Sequence, residues 1–303
     1  MLQSNLQYLH RNQVDTVKWD QCIDKAPNGL IYAFSFYLDH MAPGWSALVL
    51  GDYEAVMPLP WRRKFGISYL YHPAFTQQLG IFSKTGLTDE LVTAFMNELP
   101  GHFRYAEMTL NYAHPQQAMA QRINFVLSLQ EPYKQIRAGY KQDLVKNLKK
   151  ACRFPLSYAN EADHKLILDT YKAFNGSRTP HVTGDDYARF DKLFTFSKES
   201  IVARSVKEEG RLLSAALLFC HKNRLYLLAS VTWPEGRSRE ANHFLLDRLI
   251  AEFAGSKMVL DFEGSDLPGV KHFYSNFGGV NQPYFFYRYN YLPWWVKLLS
   301  GKR

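Results

Sequence analysis

The chain has 303 residues, 47% of them hydrophobic, which is enough for one large or two ordinary packed domains and excludes global disorder. Its net charge of +8 favours a polyanionic partner, but no dense Lys/Arg block of the nucleic-acid type occurs; the nearest is "KQDLVKNLKKACR". The three cysteines, Cys22, Cys152 and Cys220, are scattered and form no CxxC, which excludes a disulfide framework or a zinc knuckle and reads as reduced thiols in a cytoplasmic protein.

In chain order, "MLQSNLQYLHRNQ" lacks the apolar region of a signal peptide, and "LQYLHR" reads as an opening strand. "TVKWDQCIDKA" and "SFYLDHMA" read as short helices, followed by strand-like runs "WSALVLG", "EAVMPLPWRR" and "SYLYHPAF". "TDELVTAFMNEL" is a helix capped by Thr88, with Leu91 in the slot where a full capping box has an acid or Gln. "FRYAEMTLN" and "INFVLSLQ" read as strands, and "DLVKNLKKACR" as a basic amphipathic linker helix. In the second half, "PLSYAN" is a strand, and "EADHKLILDTYKAFN" and "GDDYARFDKLFTFS" are helices. Three more strands follow, "SIVARSVKE", "RLLSAALLFC" and "RLYLLASVTW", joined by the polar turns "EEGR" and "HKNR". The helix "SREANHFLLDRLIAEFAG", the strand "KMVLDF", the helix "VKHFYSN" and the strand "YFFYRYNY" complete the chain.

The order β-α-α-β-β-β-α-β thus occurs twice, offset by roughly 155 residues. It predicts an α+β fold of two domains, 1–130 and 131–303, each a mixed, mostly antiparallel sheet flanked by helices, with the basic helix leading into the second.

The stretch "DFEGSDLPGVKHFYSNFGG" (261–279) stands out, with acids at a strand end and then a short basic-aromatic helix stopped by glycines. The element order and the spacing of Tyr274 and Gly278 resemble the GNAT acyltransferase fold. The doubled arrangement resembles its FemAB-like branch, whose pattern D-F-x-G-x-x-x-x-G-x-x-x-F-K-x-x-F-G-G is matched by Asp261, Phe262, Gly264, Gly269, Phe273, Phe277, Gly278 and Gly279; Tyr274 replaces the Lys. The resemblance spans nearly the whole chain in element order and about twenty residues in motif.

The resemblance implies transfer of an acyl or aminoacyl group from an activated donor, acyl-CoA being the expected one, to an amine on a small molecule or cell-envelope precursor. No permanently bound cofactor is expected, and no metal, because the ten histidines show no ligand spacing. Backbone N–H groups near Ser230, Val231 and Thr232 would polarise the carbonyl, and the following turn, near Arg237, Arg239 and Asn242, would meet the donor's phosphates. That turn departs from the usual Q/R-x-x-G-x-G/A: Glu240 and Asn242 stand in the glycine slots, which puts CoA binding in doubt. The plain alternative there is two solvated arginines.

Strand alternation would send Asp261 and Glu263 to one face as acid or base candidates, with Phe262 opposite; otherwise they are rim charges or partners of Lys271, itself a candidate acceptor contact. Tyr274 would protonate the leaving group, or is a packed ring. His72, Gln77 and Gln78 would line a twin cleft in the first domain, or are polar loop residues. A competing reading is a catalytically silent GNAT-like module that binds a nucleotide, RNA or an anionic lipid head group. DNA is not expected, and the absence of a long helical arm disfavours tRNA. The tail "YLPWWVKLLSGKR", with Trp294, Trp295, Val296, Leu298 and Leu299 apolar and Lys297, Lys302 and Arg303 basic, has the composition of an interfacial anchor; this would place the protein at the inner membrane surface, unless the tail folds back on its own domain.

Overall fold

A computed structural model describes residues 5–115, 119–179, 181–263 and 267–294, with the side chains of Pro100 and Arg178 left aside. Gly264 of the motif and all of the tail beyond Trp294 lie outside this set; Trp294 itself is exposed. No helix among the described residues is long and apolar enough to cross a membrane.

The first half holds β1 (Leu6–His10), α1 (Thr16–Lys25), α2 (Ser35–Met41), β2 (Trp45–Leu50), β3 (Ala55–Lys64), β4 (Ile67–Leu70), β5 (Phe82–Ser83), α3 (Asp89–His102), β6 (Tyr105–Leu110) and β7 (Ala120–Arg122). The second holds β8 (Phe125–Ser128), α4 (Tyr133–Ala138), α5 (Gln142–Ala151), β9 (Leu156–Ala159), α6 (His164–Asn175), α7 (Gly184–Phe196), β10 (Ile201–Glu208), β11 (Arg211–His221), β12 (Arg224–Thr232), α8 (Pro234–Ser238), α9 (Ala241–Phe253), β13 (Val259–Asp261), α10 (Pro268–Ser275), β14 (Val280–Asn281) and β15 (Tyr284–Asn290). Local chemistry sets several helix starts. Asp15 accepts from the N–H groups of Val17 and Lys18, Thr88 from that of Leu91, and Asp163 from those of Lys165 and Leu166.

The chain divides into two compact units, 1–122 with 284–303, and 123–283. One sheet runs β1-β2-β3-β4-β6-β15-β7, with β5 on β3; the other runs β9-β10-β11-β12-β13-β8-β14. The two orders match position by position, and β15 holds in the first sheet the place that β8 holds in the second. Counted by the repeat, β1–β8 and β9–β15, each repeat therefore lends one strand to the other's sheet. Phe285 and Tyr289 of β15 pack into the first unit's core, and Phe125 and Leu127 of β8 into the second's.

This differs from the expected division at residue 130, which assigned β8 to the first domain and β15 to the second. The apolar alternation of a strand marks a buried face but does not name the sheet it joins.

The sheets differ at one functional point. β12 and β13 pair in parallel only where Arg224, Leu225 and Tyr226 meet Val259, Leu260 and Asp261. β12 then runs on to Thr232 while β13 ends, so the sheet opens between them. Within β12, Leu227 pairs with Leu218 and Ala229 with Leu217, which leaves Leu228 as a bulge at the start of the opening. In the first unit, β4 and β6 meet at Leu70 and Ala106, and the chain itself then fills the corresponding gap. Leu79 bridges to Leu110, donates its N–H to Thr109 O at 3.0 Å, and accepts the Asn111 N–H at 2.8 Å.

Candidate functional site

That plug corrects the expected twin cleft. His72 is engaged with the Thr76 carbonyl and with Thr109 Oγ1. Thr109 Oγ1 donates to Gln77 O at 2.6 Å. Gln78 is fully buried; its Oε1 accepts the Tyr112 N–H at 3.0 Å and its Nε2 donates to Gln77 Oε1 at 2.6 Å. These three residues build the segment that closes the first unit's gap instead of lining an open one, because a segment laid beside β6 satisfies its polar groups on that strand.

The second unit keeps its opening, and a cavity of about 360 Å³ lies at its mouth. Ser230, Val231 and Thr232 of β12 line one side, and Gly236, Arg237, Glu240, Ala241, Asn242 and His243 another. Phe174 and Asn175, at the end of α6, line it as well. Five of the six residues expected at the donor are thus brought together.

Arg239, the sixth, pairs with Glu208 and lies over the Phe154 ring. It follows α8, and the chain turns at this point so that its side chain is directed to β10 instead of the cavity. A methyl group at Gly236 would meet Leu213 O at 2.2 Å, so only glycine lets α8 approach β11 this closely.

α9 opens at Glu240, whose φ of 55° is left-handed, with no side-chain cap on the first N–H groups. The GNAT-like pattern that the sequence resembles has a glycine at this position; here a glutamate takes the left-handed backbone that glycine adopts readily. Its carboxylate is held by Lys150 Nζ at 2.7 Å and His243 Nδ1 at 3.1 Å. The negative charge at the helix start is therefore matched by a cation and an imidazole. Burial pulls the His243 imidazole below its usual pKa, with Glu240 opposing. Asn242 accepts from Ser230 Oγ at 3.1 Å and so fastens the helix start to β12.

His243 also borders a second cavity of about 320 Å³, lined by Lys146 and Asn147 of α5, His272 and Phe273 of α10, and Asn276 just beyond it. The two cavities thus meet at one side chain beside the α9 N-terminus, a place suited to anionic groups.

The acids of the motif separate. Asp261 is buried and bound to Arg224, so it braces β12 to β13 and is not a cleft group. Glu263 does not share its strand face, because β13 ends at Asp261 and Glu263 has a left-handed φ of 57°. The expected alternation fails because the strand is two residues too short.

Glu263 is half-buried, and burial pushes its carboxyl well above the usual range. The Tyr274 ring stacks on Phe262 with centroids 5.0 Å apart. Burial, reinforced by the neighbouring Tyr171 phenol and Glu263 carboxyl, pushes the Tyr274 phenol far above its usual pKa. Glu263 and Tyr274 are only partly buried and line neither cavity; Tyr171 of α6, whose phenol acts on that of Tyr274, lies one helical turn from the cavity-lining Phe174 and Asn175. Lys271 is exposed and lines neither cavity.

The sequence reading missed Phe174, Asn175, Tyr171, His243 and the Lys150 clamp. Only His243 carried a signal, as the residue directly after the altered glycine slots.

No family model matches the sequence, and no curated protein does. Solved structures do. FemX superposes with a TM-score of 0.64 at 11% identity, covering 98% of this chain and 100% of FemX. A tandem GNAT protein from the clavulanic acid biosynthesis pathway gives 0.52 at 10% identity, with 95% and 99% covered. A conserved protein of unknown function from Bacteroides thetaiotaomicron gives 0.54 at 9% identity, with 90% and 97% covered. At these identities the likeness is one of fold: the chain has the FemAB-like tandem GNAT fold.

Proposed function

We propose that the second unit transfers an acyl or aminoacyl group from an activated donor, with acyl-CoA as the leading choice, to an amine on a small molecule or cell-envelope precursor. The observation that carries this reading is the opening between β12 and β13, bounded by the β12 bulge, with a cavity at the uncapped start of α9. The N–H groups of α9 and Arg237 would hold the donor's anionic part. β12 backbone N–H groups around Ser230 to Thr232 would polarise the donor carbonyl.

The amine nitrogen then bonds to the carbonyl carbon, and the bond to sulfur or oxygen breaks. Glu263 takes the amine proton; its raised pKa makes it a stronger base than an ordinary carboxylate when ionised. Tyr274 gives its proton to the leaving atom, and its own raised pKa keeps that proton in place until then. Most of the rate comes from holding the two reactants together.

Titration of acetyl-CoA and longer acyl-CoAs by calorimetry, followed by thiol release with an amine panel, tests the reading. Binding with turnover supports it. Absence of binding, together with absence of thiol release, removes acyl-CoA as the donor. Glu240 and Asn242 in the glycine slots favour a second reading, a silent module that binds a nucleotide, RNA or lipid head group; binding without turnover by any amine selects it.

A further inference from the structure

The tip of the β3–β4 hairpin carries a side chain that folding does not explain. Lys64 pairs with Ile67, and Phe65 and Gly66 make the turn, with φ of 50° and 77°. A two-residue turn with both φ positive suits Asn-Gly or Gly-Gly. Gly66 meets that demand. Phe65 does not, because a bulky side chain is strained in left-handed backbone. Its ring is also 64% exposed. Both backbone strain and hydration oppose an aromatic ring here. The hairpin in the same place in the second unit, β11–β12, turns through Lys222, also left-handed at 51°, and Asn223. The β10–β11 turn, Glu209–Gly210, has φ of 50° and 82°, again with a charged first residue. Only the first of these three tips presents a ring.

The tip is also basic. Arg62, Arg63 and Lys64 lead into it, and no Asp or Glu occurs between Glu54 and Asp89. Lys64 Nζ lies 5.3 Å from the Phe65 ring centre, and Arg63 Nε donates to Gly66 O at 3.0 Å.

We propose that this hairpin docks on an anionic lipid bilayer, with Phe65 in the interfacial layer and Arg62, Arg63 and Lys64 among the head-group phosphates. An aromatic body at head-group depth with cations beside it is what that layer accepts. A single-stranded nucleic acid also takes cations and rings, but it takes them along a groove with successive stacking platforms. A lone ring on a projecting two-residue turn fits a surface.

The 303-residue protein is floated with vesicles of phosphatidylcholine with and without phosphatidylglycerol. Binding is expected only with phosphatidylglycerol and is lost at high salt. Phe65→Asn weakens it at least about tenfold, while the melting temperature holds or rises, since Asn tolerates the left-handed turn. Arg63→Gln and Lys64→Gln each weaken it roughly fivefold. Equal binding by Phe65→Asn and wild type overturns the proposal, as does equal binding to neutral vesicles. So does binding that survives Phe65→Asn but is lost on removing residues 293–303, which places the contact in the tail. Single-stranded RNA bound through Phe65, with vesicles left unbound, overturns it in favour of nucleic acid.

Discussion

Arg224 and Asp261 link the first paired residue of β12 to the last paired residue of β13: an Arg224 Nη lies 2.7 Å from Asp261 Oδ2, and Nε 2.8 Å from the same oxygen. The other carboxylate oxygen accepts the Glu263 N–H at 3.0 Å. Arg224 also donates to Gln282 at 2.7 Å. One carboxylate thus ties β12 to β13 and shapes the turn that carries Glu263.

Asp261→Asn leaves a largely buried guanidinium without its counter-charge. It is expected to cost about 3 kcal/mol of unfolding free energy. Urea unfolding measures this, and turnover per folded molecule should change little. A variant of native stability that has lost turnover would return Asp261 to the catalytic groups.

The exchanged strands make a prediction about cutting the chain. A fragment of residues 123–283 contains every strand of its sheet, β8 included, and is expected to unfold cooperatively on its own. A fragment of residues 131–303 lacks β8, which pairs with both β13 and β14, and is expected to aggregate or stay unfolded. Circular dichroism and thermal melts compare them. Equal stability of the two fragments would show that β8 is dispensable.

Much of the fold was legible because it rests on local signals. Thr88 caps its helix as its position suggests, and the "EEGR" and "HKNR" turns sit where polar hairpin residues place them. Part of the cavity lining was legible too: Ser230 and Arg237, to which the GNAT resemblance pointed, both line it. What failed depended on long-range pairing. Nothing in "INFVLSLQ" says that it joins the second sheet, and nothing in "HPAFTQQLG" says that Leu79 pairs with Thr109 and Asn111 and closes the gap. The Asp261–Glu263 face failed because the strand ends at Asp261 and Glu263 itself turns left-handed, which alternation does not show.

Glu263 should leave a mark on the pH dependence of stability. Its pKa is raised in the folded state above the unfolded value, about 4.3. The stability contributed by the neutral form is fully present below the unfolded pKa and is lost as pH rises through the folded pKa. The native protein should therefore lose stability with rising pH across that window, and Glu263→Gln should remove that part of the slope. Urea midpoints taken from about pH 4 to about pH 9 compare the two. Parallel profiles would show that the carboxyl titrates as an ordinary one and would weaken its assignment as a tuned base.

Tyr274→Phe separates a proton donor from a packing ring. The ring stacks on Phe262 and meets Phe273 edge-on at 5.3 Å, so the fold should survive loss of the hydroxyl alone. Donor affinity should hold as well, because the groups proposed to hold the donor lie on α8, α9 and β12 and Tyr274 does not line that cavity. With a thioester donor the departing thiolate has a pKa of about 8.5 and leaves fairly well unaided. Protonation then helps by no more than roughly 10²–10⁴-fold, and the loss in kcat should fall at the low end of that range. An ester donor has a poorer leaving group and should suffer more. The unsubstituted protein should also show no decline in rate as pH rises through about 10, the ordinary tyrosine value, because burial keeps this phenol protonated beyond it. Steady-state kinetics of both proteins on one thioester and one ester measure all three points. Unaltered turnover on both donors would make Tyr274 a packing residue and leave proton delivery to another group.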